Sequence, residues 1–160
     1  MSRVGVYLDI SNLYYTVKIN NDGAKVNFKK YLEFINDFGE VKVKKAFIGV
    51  LDENETNKFH PILTGLGFEL VKQKLKVYHN GNSLDKKCDL DVKIAVTLIE
   101  DIDLYDKVVV GSADGDFLPV YKFLKDRGKE IIVVASKVSK EVASNYTFVE
   151  IPPSLLIKRK

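Results

Sequence analysis

A lone cysteine, Cys88, among 160 residues rules out an internal disulfide, and with only two histidines a Cys–His metal site is excluded by count. So little cysteine fits a reducing compartment. No apolar run approaches the roughly 18 residues that a membrane span requires. The opening MSRVGVYLD enters a strand pattern at once and has no signal-peptide layout. A soluble, cytoplasmic protein is therefore expected. Neither G-x-G-x-x-G nor a Walker motif occurs, which argues against dinucleotide and ATP chemistry. Charge of one sign is also scarce: 25 basic against 22 acidic residues leave a net charge of +3, so an anionic partner is permitted and location matters more than the sum. With no internal repeat, low-complexity segment or linker, one domain over residues 1–160 is expected.

What is present is a 46% hydrophobic chain, enough for a proper core. RVGVYLD, KKAFIGVLD, KVVVGS and GKEIIVVAS are short Val/Ile-rich runs without helical period, as buried parallel strands are; YTFVEI is a short last one. FELVKQKLKVYH alternates Lys with apolar residues and reads as a further strand, and NGNSLDKK as a polar loop. Between them, SNLYYTVKI, VNFKKYLEFINDFG, NETNKFHPILTGLG and the stretch marked by Phe117, Val120, Tyr121 and Leu124, with Pro119 in its first turn, read as helices. The helix starting near Asp89 carries Val92, Ala95, Val96, Ile99 and Ile102 on one face, taken as its buried side. Alternating strands and helices predict an α/β fold with a mostly parallel sheet covered by helices on both faces.

In such a sheet, sites form outside the carboxyl ends of the strands. Asp9 ends the first strand, and Asp114 and Asp116 follow KVVVGS. Asp85, Asp89 and Asp91 lie where the polar loop enters a helix. Two unit charges 4 Å apart repel by about 4 kcal/mol at an effective dielectric of about 20. Several such pairs require a counter-cation or raised pKa values. All-oxygen ligands suit Mg²⁺ or Mn²⁺. Taken singly, Asp9, Asp91 and Asp116 also read as helix N-caps. Capping alone does not explain why Asp114 and Asp116 are both present.

VYLDISNLYY, DLDVKIAV and VVVGSADGDFLPVYKFLKDRGKEIIVV, in this order across nearly the whole chain, resemble the NYN domain family, the LabA-like branch of the PIN-like nucleases. The resemblance implies a Rossmann-like, three-layer PIN-like domain with an acidic divalent-metal site that cleaves RNA, expected to be single-stranded. It implies Asp9, Asn12, Asp91, Asp114 and Asp116 as the catalytic set. Asp9 and Asp114 would be the central metal ligands, and Asp91 and Asp116 would complete the cluster. Asn12 would orient a ligand or the scissile phosphate, and Ser112 would meet Asp9 or a phosphate oxygen. The DLD repeat leaves Asp89 as an alternative to Asp91. Two positions depart from the family pattern: Thr97 stands where many relatives carry another acid, and Ala113 where Gly is usual.

Lysines at 42, 44 and 45, at 72, 74 and 76, and at 86 and 87 are candidates for tracking a phosphate backbone, with Lys86 and Lys87 nearest the acids in sequence; a solvated or edge-protecting face is the alternative. Tyr14 and Tyr15 follow Asn12 closely; one of them, Tyr14 first, is a candidate for stacking on a base, against a packed role for one or both. Three functions follow: a metal-dependent ribonuclease, a nucleic-acid-binding or regulatory module of the same fold without activity, and an aspartyl-phosphate transfer enzyme built on Asp9 and Lys137. The paired acids fit the first best. A homodimer is an admissible assembly.

Overall fold

The apolar runs without helical period are the central strands of a sheet covered on both faces. The computed structural model describes residues 1–51, 58–74, 76–80, 83–87 and 90–158, the two short strands within 76–87 by their backbone alone. Strand β1 (Arg3–Asp9) lies in the middle, parallel to β3 (Glu40–Val50) on one side and to β7 (Lys107–Gly111) on the other. Beyond β3 lies β4 (Glu69–Lys74), and beyond β7 lie β8 (Glu130–Ala135) and β9 (Thr147–Glu150). All six strands run parallel.

Period-two alternation divides the core between the faces. Val4, Val6, Leu8, Val109, Ile132 and Val134 pack with helices α1 (Ile10–Asn20), α2 (Phe28–Ile35) and α3 (Phe59–Gly65). Tyr7, Val108, Val110, Ile131 and Val133 pack with α4 (Leu90–Glu100), α5 (Leu118–Asp126) and α6 (Lys140–Asn145). Tyr31 of α2 is fully buried and donates its hydroxyl to the Val134 carbonyl at 2.9 Å, so its polar end costs little while its ring contributes about 1.5–3 kcal/mol. None of the described helices is long and apolar enough to cross a membrane.

The neighbours β1 and β7 therefore send the chain to opposite faces, into α1 and α5. Their carboxyl ends flank a topological switch point, where a crevice must open. Gly111 at the end of β7 keeps the crevice narrow. A Cβ there would lie 2.6 Å from Leu8 Cδ2 and 2.9 Å from Leu13 Cδ1, wedging α1 away from the strand.

Three local expectations are corrected. Helix α4 buries Leu90, Ile94, Thr97 and Leu98, while Val92, Val96 and Ile99 are exposed. The helix is apolar on two sides, and the bulkier Leu/Ile stripe fills the space over Tyr7 and Phe47. The expected polar loop NGNSLDKK holds a strand, since β5 (Lys76–Asn80) pairs antiparallel with β6 (Ser83–Lys87). The antiparallel pairing, from Lys76 with Lys87 to Asn80 with Ser83, outweighs the polar composition. The single strand expected over 68–79 is accordingly two, β4 in the main sheet and β5 in the hairpin.

The lysines around β3 make contacts within the protein. Lys42 pairs with Glu40 at 2.7 Å, and Lys44 donates to the Leu66 carbonyl at 2.9 Å. Lys45 Nζ lies 2.7 Å from Asp101 Oδ2, which also accepts the Tyr7 hydroxyl at 2.9 Å. These three ammonium groups are engaged within the protein, Lys45 in a network with the buried Asp101. The side chains of Lys76, Lys86 and Lys87 lie outside the described residues. A two-stranded ribbon of β2 (Lys25–Val26) and β10 (Leu156–Ile157) fastens the C-terminal segment beside α2.

Candidate active site

Strand β1 delivers Asp9 to the crevice, and the same residue starts α1. Its carboxylate accepts the Asn12 N–H at 3.2 Å, as an N-cap does, and is only 6% exposed. Burial pushes the Asp9 carboxyl up to about 6; the Asn12 N–H pulls it back in part, and the charge on Asp114 raises it again.

After β7, a short loop holds the late acids by its own hydrogen bonds. Ser112 Oγ accepts the Asp114 N–H at 3.2 Å, and Asp114 Oδ1 accepts the Asp116 N–H at 2.9 Å. Asn12 Oδ1 accepts the Ala113 N–H at 2.8 Å, fastening α1 to this loop across the switch point. The buried Phe117 anchors the far end. The loop is thus positioned before any ligand arrives, which lowers the cost of holding like charges together.

Asp91, in the first turn of α4, completes the group. Asp91, Asp114 and Asp116 each present a carboxylate oxygen, and the three oxygens lie within 4.8 Å of one another. Burial, a hydrogen bond with Asp114, and the charges on Asp114, Asp9 and Asp116 push the Asp91 carboxyl up to about 6. Among the described residues none of these acids pairs with a Lys or Arg. A carboxyl–carboxyl contact needs a proton or a cation between the groups. The donor set, all oxygen and at least three carboxylates, fits Mg²⁺ or Mn²⁺. Asp9, Asn12, Asp91 and Asp114 line a cavity of about 400 Å³ at this point, together with Tyr15.

The structure therefore brings Asp9, Asn12, Asp91, Asp114 and Asp116 to one place. The tight group is Asp91, Asp114 and Asp116, and Asp9 sits deeper, engaged as a cap. Ser112 is 1% exposed, and its hydroxyl oxygen accepts the Asp114 N–H. Thr97 is buried and donates to the Lys93 carbonyl at 2.7 Å, so it packs and back-bonds within α4. Tyr14 packs against Phe59 instead of facing the acids. Its neighbour Tyr15, the other tyrosine considered for stacking, is 64% exposed and lines the acidic cavity. The α-helical period places Tyr15 with Ser11 and Asn12. Asp89 and Cys88, and the side chains of Asp85, Lys86 and Lys87, lie outside the described residues.

A three-layer α/β domain with acids gathered at the carboxyl edge of a parallel sheet is the architecture of the PIN-like nucleases. The chain belongs to the NYN domain family, whose profile matches residues 3–151. It is thus a nuclease-type or RNA-related module. It is 26% identical over 140 residues to the low amplitude and bright protein LabA of Synechococcus elongatus, covering 84% of this chain and 74% of that protein. A crystal structure of a protein of unknown function from Vibrio parahaemolyticus superposes with a TM-score of 0.83 at 25% identity, covering 98% of this chain and 96% of that one.

Proposed function

We propose that this domain is a divalent-metal-dependent ribonuclease that hydrolyses phosphodiester bonds of single-stranded RNA. The observation that carries the reading is the cluster of Asp91, Asp114 and Asp116, with oxygens within 4.8 Å and no basic partner among the described residues. These three would hold Mg²⁺ or Mn²⁺. When bound, the ion supplies Lewis acidity toward water and the phosphate. Asp9, whose pKa is raised to about 6 by burial, is placed to hold or accept a proton beside the cluster. Asn12 fixes the loop through its Oδ1 and lines the same cavity, and its amide nitrogen would donate to a phosphate oxygen. Tyr15 offers an exposed ring against which a base or sugar can rest.

A second reading is an RNA-binding module without activity. It is favoured by Thr97, which offers no carboxylate and points its hydroxyl at its own helix. Incubating the protein with end-labelled single-stranded RNA in Mn²⁺, in Mg²⁺ and in EDTA separates the two. Cleavage in either cation and none in EDTA is expected. RNA binding without cleavage in any condition would establish the second reading instead.

A further inference from the structure

On the sheet face that carries α1, α2 and α3, an apolar cavity of about 310 Å³ opens between α1, α3 and the β2–β10 ribbon. Three aromatic rings form its walls. Phe59 stands edge-on to Tyr14 at 5.5 Å and to Phe28 at 6.1 Å, with interplanar angles of 74° and 90°. Three exposed lysines, Lys25, Lys29 and Lys58, stand at its rim, and among the described residues no carboxylate lines it. Lys58 Nζ donates to the Tyr14 hydroxyl at 3.1 Å and lies 4.4 Å from the centre of its ring. Lys58, through that hydrogen bond, and then Lys18 and Lys25 by charge, hold the Tyr14 phenol below its ordinary pKa, a sign of locally concentrated positive charge.

We infer that this cavity receives one base of a single-stranded RNA chain, with Lys25, Lys29 and Lys58 on the flanking phosphates. The inference deepens the proposed ribonuclease reading and rests on it. The acidic cluster repels a polyanion, so affinity must come from positive charge elsewhere. Lys44 and Lys45 are half-buried and engaged within the protein, whereas the rim lysines are exposed. The rim lysines stand beside aromatic rings, and rings with cations are the means by which proteins hold single strands. Continuity supports the placement. Tyr14 and Tyr15 are consecutive on α1 with rings edge to face at 6.1 Å, and Tyr15 lines the acidic cavity. One aromatic contact therefore joins the cavity to the cluster, so a single strand seated on Tyr14 can continue across Tyr15 to the acids. An apolar cavity with a cationic rim also suits a fatty acid. Walls made of rings at right angles favour a flat base, and the link to the acids gives the base a reason to be there.

The test is RNA affinity in EDTA, where no cleavage intervenes, measured by fluorescence anisotropy with a short labelled single-stranded RNA over a salt series. Tyr14→Ala is expected to weaken binding roughly 10-fold, the loss typical of one stacked base, and Tyr14→Phe to retain wild-type affinity. Lys58→Ala changes an exposed side chain, so its folding is not in question. It should weaken binding and reduce the salt slope by about 1. Replacing one nucleotide of the probe by an abasic residue should abolish the sensitivity to Tyr14→Ala at one register. Wild-type affinity in both Tyr14→Ala and Lys58→Ala would overturn the inference. So would a wild-type protein that binds no RNA, or one whose cavity takes up oleate and not RNA. Cleavage in Mn²⁺ is measured in parallel and keeps the two claims apart. Variant-sensitive binding without cleavage sinks the catalytic reading alone, and intact cleavage with variant-insensitive binding sinks the subsite alone.

Discussion

Asp114→Asn should abolish cation-dependent RNA cleavage while leaving the metal-free protein at least as stable as the wild type. The Asp114 side chain has two tasks. Its Oδ1 caps the following turn by accepting the Asp116 N–H, a role that Asn performs about as well as Asp. Its charge faces Asp91, Asp116 and Asp9, and there Asn removes repulsion that no basic side chain among the described residues offsets. The cation loses a ligand from the tight group of three. Removing even an outer-shell partner of a metal site commonly costs 10–100-fold, so a loss of more than about 100-fold in cleavage is expected. Cleavage assays in Mn²⁺ and thermal melts in EDTA check the two halves. A metal-free melting temperature several degrees below wild type would make Asp114 a structural cap first and a site acid second.

Millimolar Mn²⁺ is expected to raise the melting temperature at pH 7 and to reverse its dependence on pH. Asp9 and Asp91 both have folded-state pKa values raised to about 6, above their ordinary value of 3.8. Between those two values the native state binds protons that the unfolded chain has released, so stability falls as pH rises. The metal-free protein should therefore gain stability as pH is lowered from about 7 towards 4, with no further gain from these groups below that. For the well-buried Asp9 the effect is at most about 2–3 kcal/mol, and the more exposed Asp91 adds less. A cation binds the deprotonated carboxylates. At a hundred times its Kd it contributes about 2.7 kcal/mol, or roughly 5–10 °C for a domain of this size. At pH 5 protons compete, and the shift should shrink. Melts at both pH values, with Mn²⁺ and with EDTA, measure all four states. A melting temperature indifferent to Mn²⁺ at pH 7 would argue against a cation site among these acids.

The parallel sheet was legible because its central strands are buried on both faces and so read as unbroken Val/Ile runs, RVGVYLD and KVVVGS above all. The gathering of the acids was legible for a related reason. Asp9 and Asp114 lie at strand exits, and the order of strands and helices sends β1 and β7 to opposite faces. What stayed hidden depends on contacts distant in sequence. Which stripe of α4 is buried was decided by the volume of Tyr7 and Phe47 beneath it, not by its own period. Lys45 looks like a surface cation until Asp101, 56 residues further on, is placed beside it. The aromatic cavity combines Tyr14, Phe28 and Phe59 with a strand from the end of the chain, and no local pattern announces it. Tyr15 was the exception, since the helical period already set it beside Asn12.

The central claim is that Asp91, Asp114 and Asp116 form one divalent-cation site at the switch point between β1 and β7. Anomalous diffraction from crystals grown in Mn²⁺ tests it most directly. The account predicts a Mn²⁺ peak within about 2.0–2.4 Å of oxygens from these carboxylates, with Asp9 beside it directly or through water. A peak elsewhere on the protein, or ordered carboxylates with no peak at saturating Mn²⁺, would contradict it.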